Sequence, residues 1–313
     1  MNEIPFKIGY VGVPPIKCQG IKTKLVPFIF SSVKWNAGGS GRWIEPFLGS
    51  GVVAFNLCPD RALLSDTNRH IIGLYQMIQR GEMNKTTVRA FLTKEGKNLS
   101  AGGGDYYYEV RERFNKDASP YDFLFLNRSC FNGVMRFNRR GEFNVPFGHK
   151  SERFSQSYVT KIANQIDWVA KQMRGKEWEF RVARWDEAFG SALSSDFIYL
   201  DPPYIGRHTD YYNTWDDTEA TRLACAAQQL PCGFALSMWL ENRYRSNPHI
   251  EQHWSGLDIR VCSHFYHVGS SENLRNEIDE ALILKQGFAT ADNGKQHTKR
   301  PAAKLQLSLV LEM

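Results

Sequence analysis

Short apolar runs, each bounded by polar or turn-forming residues and spaced by helical lengths, recur along this chain. Arg42-Trp43-Ile44-Glu45 reads as a strand, a glycine turn follows, and Val52-Val53-Ala54-Phe55 opens a helix before a second strand at Ala62-Leu63-Leu64. The same texture returns at Phe197-Ile198-Tyr199-Leu200 and at Gly233-Phe234-Ala235-Leu236. Apolar runs too short for buried helices, separated by crossover lengths, predict parallel strands of an α/β sheet. Between about 73 and 177 the pattern changes. A loop is expected at Ala101-Gly102-Gly103-Gly104, an aromatic and basic helix around Tyr106 to Phe114, and loop-rich chain near 127–150. Val159, Ile162, Ile166, Val169 and Met173 then recur every three or four residues, the stripe of an amphipathic helix. The expectation is an α/β domain interrupted by a helical insertion, with no internal repeat.

Composition narrows the class. At 313 residues the chain is one large domain or two small ones, and 42% hydrophobic with 23% charged residues is ordinary for a globular protein. Disordered, collagenous and disulfide-stapled classes are excluded. Met1 to Phe6 lacks the basic and apolar regions of a signal peptide, and no run approaches the ~18 apolar residues of a membrane span. The six cysteines are scattered without a C-x-x-C pair, so free thiols in a reducing cytoplasm and no metal centre are expected. His264 and His267 form an isolated H-x-x-H, which reads as packing or surface.

The formal charge of +6 becomes informative once it is placed. Residues 1–34 carry a net +4, with Lys7, Lys17, Lys22, Lys24 and Lys34 against Glu3, and residues 128–153 carry another +4. The remainder is net −2. Two focused basic segments are the footprint of phosphate contacts. In the second, Phe131, Phe137, Phe143 and Phe147 interleave with Arg128, Arg136, Arg139 and Arg140 and with Asn127, Asn132, Asn138 and Asn144. Arg and Asn match guanine and adenine edges, so base readout is expected there.

Asp201-Pro202-Pro203-Tyr204 follows the strand Phe197 to Leu200. Two prolines end the strand and stiffen the turn, holding Asp201 and Tyr204 at a strand carboxyl end, where open α/β sheets place ligands. Such a clamp suits alkylation of an amino group on an aromatic ring. A carboxylate and a backbone carbonyl accepting its two N–H bonds would localise the delocalised lone pair, and Tyr204 would stack on the ring. The second element is Glu45-Pro46-Phe47-Leu48-Gly49-Ser50-Gly51, a turn whose glycines let backbone approach a ligand. Gly49 to Ala54 also fits G-x-G-x-x-A, a dinucleotide reading that the Glu45-Pro46 strand end argues against. Asp66, ending the next strand, is placed to accept two ribose hydroxyls.

Together these elements resemble the Dam-type, alpha-class DNA adenine methyltransferases. The likeness also rests on Pro14-Pro15-Ile16-Lys17-Cys18-Gln19-Gly20-Ile21-Lys22, on Phe125 to Gly133, Arg136 and Gly141 to Gly148, and on Ile205-Gly206-Arg207-His208 after the catalytic turn, covering about 14 to 285. It implies a Rossmann-like, S-adenosylmethionine-dependent methyltransferase fold with a mainly helical DNA-recognition insert. The catalytic domain would be 1–72 with 178–290, the insert 73–177, and 291–313 a tail without assigned role; Leu305, Leu307, Leu309 and Leu311 alternate there. Lys22, Phe47, Gly49, Gly51, Asp66 and Asp201 would bind the cofactor, and Asp201, Pro202, Pro203 and Tyr204 would carry the chemistry on a flipped adenine. Lys17, Arg128, Phe131, Asn132, Arg136, Asn138, Arg139 and Pro146 would contact duplex DNA, with Arg136 reading a base. Family members often carry Tyr at the position of Phe131, so a hydroxyl contact there is lost. The implied setting is bacterial or phage, with a companion restriction endonuclease as a further partner; oligomeric state on DNA is left open. Two other classes compete: an RNA or protein amino-methyltransferase with the same turn, and a non-catalytic DNA-binding protein. A cytosine enzyme would need a Pro-Cys pair in a catalytic turn, and Pro231-Cys232 sits between a helix and a strand.

Overall fold

The computed structural model describes residues 3–4, 6–204, 215–242, 245–265 and 277–291. In chain order the elements are β1 (Glu3–Ile4), α1 (Val26–Ser32), β2 (Trp35–Asn36), β3 (Trp43–Glu45), α2 (Val52–Leu57), β4 (Arg61–Asp66), α3 (Arg69–Gln79), α4 (Lys85–Asp117), α5 (Pro120–Ser129), α6 (Gln156–Met173) and β5 (Glu177–Val182). There follow α7 (Trp185–Gly190), β6 (Phe197–Leu200), α8 (Asp217–Gln228), β7 (Gly233–Asn242), β8 (Arg245–Ser246), α9 (Pro248–Trp254), β9 (Asp258–Phe265) and β10 (Glu277–Leu284). The strands expected from the apolar runs form, and they pair in the order β5-β4-β3-β6-β7-β10-β9, with β8 on β7. From β5 through β7 the pairs are parallel; β10 runs antiparallel to both β7 and β9.

This order fixes where a ligand can sit. From β3 the chain winds outward to β4 and β5, then returns to place β6 on the other side of β3. The carboxyl ends of β3 and β6 therefore lie side by side at the reversal point, where the crossovers diverge and leave a crevice. Trp43 pairs with Phe197 and Ile44 with Ile198, so the two strand ends, Glu45 and Leu200, reach that crevice together.

Period-two alternation sends successive side chains to opposite faces. Trp43, Phe197 and Tyr199 stack on one face, with ring centroids 5.2 and 6.0 Å from the Trp43 ring. Ile44, Ile198 and Leu200 enter the other face, against Leu223, Leu230 and Trp254. The first core continues without a break into the middle of the chain through Val88, Tyr107, Phe114, Phe125, Phe143 and Ile162. The stripe on α6 is buried as expected: Val159, Ile162, Ile166, Val169 and Met173. Helix α4 starts at a reciprocal cap, in which Asn84 accepts from the Thr86 and Thr87 amides and Thr87 accepts from the Asn84 amide. The expected loop at Ala101–Gly104 is instead a kink inside α4, where Gly103 takes φ +54 and the helix resumes. Arg113 ties the far half of α4 to α5, donating to Asp122 at 2.8 Å and Glu95 at 3.0 Å.

All six cysteines are free thiols. Among the described residues no helix is long and apolar enough to cross a membrane, and no three His, Cys, Asp or Glu side chains gather as a metal site would require. His267, the Ile205–His208 stretch and the leucine alternation after 304 lie outside the described residues.

Candidate active site

A cavity of about 150 Å³ opens at the reversal point. Its walls come from the glycine turn after β3, the carboxyl end of β4, residues 18–21 and the turn after β6. Pro46 ends β3, and Gly49 and Gly51 both hold left-handed backbone, φ +49 and +68. At Gly51 a Cβ would lie 2.5 Å from the Phe55 ring, so only glycine lets α2 start there. Asp66 pins the turn: one oxygen accepts the Gly49 amide at 2.9 Å and the other the Asn68 amide at 2.8 Å. Each carboxylate oxygen keeps a second lone pair, and Asp66 lines the cavity, so the expected pair of hydroxyl contacts fits. Phe47 meets Trp215 edge-on, centroids 5.4 Å apart, at the same wall.

The N-terminal segment is held in place by two asparagine brackets. Asn56 of α2 accepts the Gly12 amide and donates to its carbonyl, and Asn127 of α5 does the same for Lys17, all at 2.8–2.9 Å. Cys18 through Ile21 then line the cavity. Lys22, expected at the cofactor, turns inward instead. Its ammonium is 3% exposed and lies 3.0 Å from Asp201 Oδ1, 2.7 Å from the Tyr204 hydroxyl and 3.9 Å from Glu280 Oε2.

Four groups thus interlock at the turn after β6. Tyr204 accepts from Lys22 and donates to the Glu280 carboxylate, with its hydroxyl 2.9 and 2.7 Å from the two oxygens. Burial raises Asp201 from the ordinary carboxylate range to about 6, Lys22 working against that shift and Glu280 adding to it. Burial alone would lower Lys22, but Asp201, Tyr204 and Glu280 outweigh it and keep the ammonium charged. Glu45, 2% exposed, is pushed up to about 8 by burial; the Trp43 indole bond resists and the Asp201 charge assists. At neutral pH Glu45 is therefore largely protonated and adds no second negative charge beside Asp201.

The residues expected at DNA divide into three groups. Phe131, Asn132 and Pro146 are exposed on one edge, where the Phe131 amide donates to the Pro146 carbonyl at 2.9 Å. Lys17 joins them, its stem against Gly133; burial and then Arg153 and Arg128 lower its ammonium to about 8. Arg136, Asn138 and Arg139 sit on a β-turn hairpin closed by the Phe137–Phe143 bridge. Arg136 donates to the Asn144 side chain at 2.8 Å, and Asn138 is spent on the turn, accepting the Arg140 and Glu142 amides. Arg128 is not brought to the surface. It is 5% exposed beneath the Tyr158 ring, bonded to Gln165, and burial lowers its guanidinium. Met135 and Phe137, flanking Arg136, line the cavity itself.

Sequence reasoning missed Glu280, the protonated state of Glu45, and Trp215. Glu280 carried a readable signal: with Leu282 and Leu284 it occupies the same face of β10, where a core side chain belongs.

A switch-point crevice, a glycine turn pinned by an acid and a D-P-P-Y turn around one cavity define an α/β group-transfer enzyme. The chain matches the model of the D12 class N6 adenine-specific DNA methyltransferases over residues 19–270, and it belongs to that family. It is an adenine-specific DNA methyltransferase, with the Rossmann-like sheet expected of that class. It is 33% identical over 210 residues to a DNA adenine methylase of Serratia marcescens, 64% of this chain and 73% of that one. A DNA adenine methylase of Salmonella typhi is 28% identical over 260 residues, 79% and 87% of the two chains. The Type II methyltransferase M.MjaIII of Methanocaldococcus jannaschii is 29% identical over 206 residues, 61% and 68%.

Proposed function

We propose that the chain transfers methyl from S-adenosylmethionine to the exocyclic amine of an adenine flipped out of a short, palindromic duplex site. The observation that carries this reading is that Asp201, Asp66 and the left-handed glycine turn share one cavity. The donor set fits the cofactor: Asp66 offers free lone pairs to a ribose, Gly49 a bare backbone, and Phe47 and Trp215 aromatic walls. When bound, the cofactor supplies an electrophilic methyl group on a sulfonium. The chain's own residues do the rest. Asp201 and the Pro202 carbonyl accept the two amine N–H bonds, localising the lone pair for direct in-line attack. With its carboxyl raised to about 6, Asp201 is ionised at neutral pH yet basic enough to hold the proton that the methylated amine sheds. Tyr204 stacks on the base, which must leave the duplex for its amine to reach a buried donor.

DNA would lie along the edge formed by Lys17, Phe131, Asn132 and Pro146, with Arg136 and Arg139 entering a groove from the hairpin. On this reading 1–72 and 178–290 form the catalytic domain and 73–177 the insert, with α6 and the part of α3 from residue 73 onward packing the insert against α2 and the sheet. The PPIK…GIKTKLVP and DPPYIGRH stretches resemble the EcoRV modification methyltransferase, which favours a palindrome with an A/T centre. The Type II relative supports a companion restriction endonuclease, and the bacterial relatives support a bacterial or phage cytoplasm.

Parallel transfer of radiolabelled methyl from S-adenosylmethionine to unmethylated duplex DNA, tRNA and protein tests the reading. Label is expected in duplex DNA alone, and label in RNA or protein without DNA would overturn it. Single-molecule sequencing of DNA from expressing cells then identifies the site.

A further inference from the structure

Glu280 lies in the interior of the sheet. Strand β10 is flanked by β7 and β9, and Glu280 shares its face with Leu282 and Leu284, both fully buried. The residue is itself 1% exposed. A carboxylate in that position is costly unless it is fully bonded, so its partners define what it does there. The neighbouring strand is irregular opposite it. Asp279 pairs with Glu241 but Glu280 with Trp239, so Leu240 is the extra residue of a bulge in β7, while β10 keeps its register with β9. Bulges re-aim a side chain and recur beside active sites.

The side chain is aimed at Tyr204. Both Glu280 oxygens lie within 2.9 Å of the hydroxyl, whereas Lys22 is 3.9 Å from Glu280 and already paired with Asp201 at 3.0 Å. Neutralising Lys22 is therefore not the main task of Glu280. We propose that Glu280 is a positioning residue that accepts the hydrogen bond of the Tyr204 hydroxyl and so fixes the ring face on which the target base stacks. This rests on the assignment of Asp201 and Tyr204 to the catalytic turn. Lys22 donates to the same hydroxyl oxygen from another direction, and a phenol bonded once as acceptor and once as donor has its ring rotation set before DNA arrives. The rotational freedom that the ring would otherwise lose on capturing a base is already given up.

The test uses the full chain with Glu280→Val, Glu280→Gln, Tyr204→Phe and the double variant Glu280→Val/Tyr204→Phe. A duplex carrying 2-aminopurine at the target position reports flipping without cofactor, and single-turnover methylation reports the chemistry. Glu280→Val and Tyr204→Phe should each lower the single-turnover rate about tenfold or more, the effect of losing one bond to a charged group, and reduce the fluorescence gain. Duplex affinity should stay within about threefold. The double variant should fall no more than about twofold below the worse single, since both singles already remove the same Tyr204–Glu280 bond. Glu280→Gln, which still offers an acceptor, should restore flipping. Losses that multiply in the double variant, or wild-type flipping in Tyr204→Phe, overturn the proposal; Tyr204→Phe decides it alone if Glu280→Val does not fold. Asp201→Asn in the same assay separates the two ideas: near-wild-type turnover there sinks the catalytic assignment, whatever Glu280 does.

Discussion

Replacing Lys22 by Met removes the cation shared by Asp201, a quarter exposed at the cavity wall, and the buried Glu280. At 3.0 Å and an effective dielectric near 20, the Lys22–Asp201 attraction is about 5.5 kcal/mol. Breaking a buried pair by deleting one partner costs about 3–5 kcal/mol, the more useful figure because it includes relaxation. At 1.36 kcal/mol per pH unit this raises Asp201 by roughly two units or more, from about 6 to about 8 or beyond. In the proposed role Asp201 must be ionised to accept the amine, so the acid limb of single-turnover methylation should move from near pH 6 to pH 8 or above. The stability sign follows from the same shift. Asp201 is already raised in the fold, so its contribution is intact below pH 4 and is lost as pH rises through 6, a cost of about 3 kcal/mol by pH 7. In Lys22→Met that loss grows and moves to higher pH, so the melting-temperature gap to wild type should narrow when pH is lowered to 5. Rates measured from pH 5 to 9 on a duplex at saturating cofactor supply the check. An acid limb that stays near 6 in Lys22→Met would refute the pairing as the control on Asp201.

Arg136→Ala should cost about 1–3 kcal/mol and relax preference at one base pair, read by competition among single-substitution duplexes. Equal weakening on every sequence would make it a phosphate contact. Tyr204→Ala should weaken capture of the flipped base by about 1–3 kcal/mol, visible as a lost 2-aminopurine signal; an unchanged signal would show that another side chain stacks. Gly51→Ala forces a Cβ to within 2.5 Å of Phe55 at φ +68, so thermal melting should show a loss of about 1–3 kcal/mol. Unchanged melting would mean that the turn relaxes freely.

The sheet was legible because a strand buried on both faces leaves a short apolar run, and the turns because proline and glycine are used where nothing else fits. The stripe on α6 was legible for the same reason, one face buried and the other wet. Arg128 was not. In Pro120–Ser129 every residue from Asp122 onward is buried, so no period marks which way its guanidinium points. The pairing of Lys22 with the cluster around Glu280 escaped for a topological reason. Their meeting depends on the path of the N-terminal segment, bracketed by Asn56 and Asn127, and on a bulge between β7 and β10. Neither leaves a local pattern, apart from a glutamate where the alternation of β10 asks for a leucine.

On the proposed function, recognition and cofactor binding are joined within three consecutive residues. Met135 and Phe137 line the cavity, while Arg136 between them is directed to the hairpin side chain of Asn144. Phe137 also stacks on His70 at 5.1 Å and 10°, and His70 opens the helix that follows the Asp66–Asn68 wall. Burial lowers His70 to about 4, so it stays neutral and the stack holds across the working pH range. Drawing Arg136 into a groove therefore moves a wall of the cofactor cavity, and linkage requires the effect to be reciprocal. Cognate duplex should change cofactor affinity about 5- to 150-fold, the usual span of such couplings, whereas a scrambled duplex should not. Phe137→Ala removes the shared wall, so its coupling should collapse toward unity even if cofactor binding without DNA weakens only modestly. Calorimetric titration of cofactor with and without each duplex measures both quantities. The same coupling factor in wild type and Phe137→Ala would show that the hairpin and the cavity are neighbours without being linked.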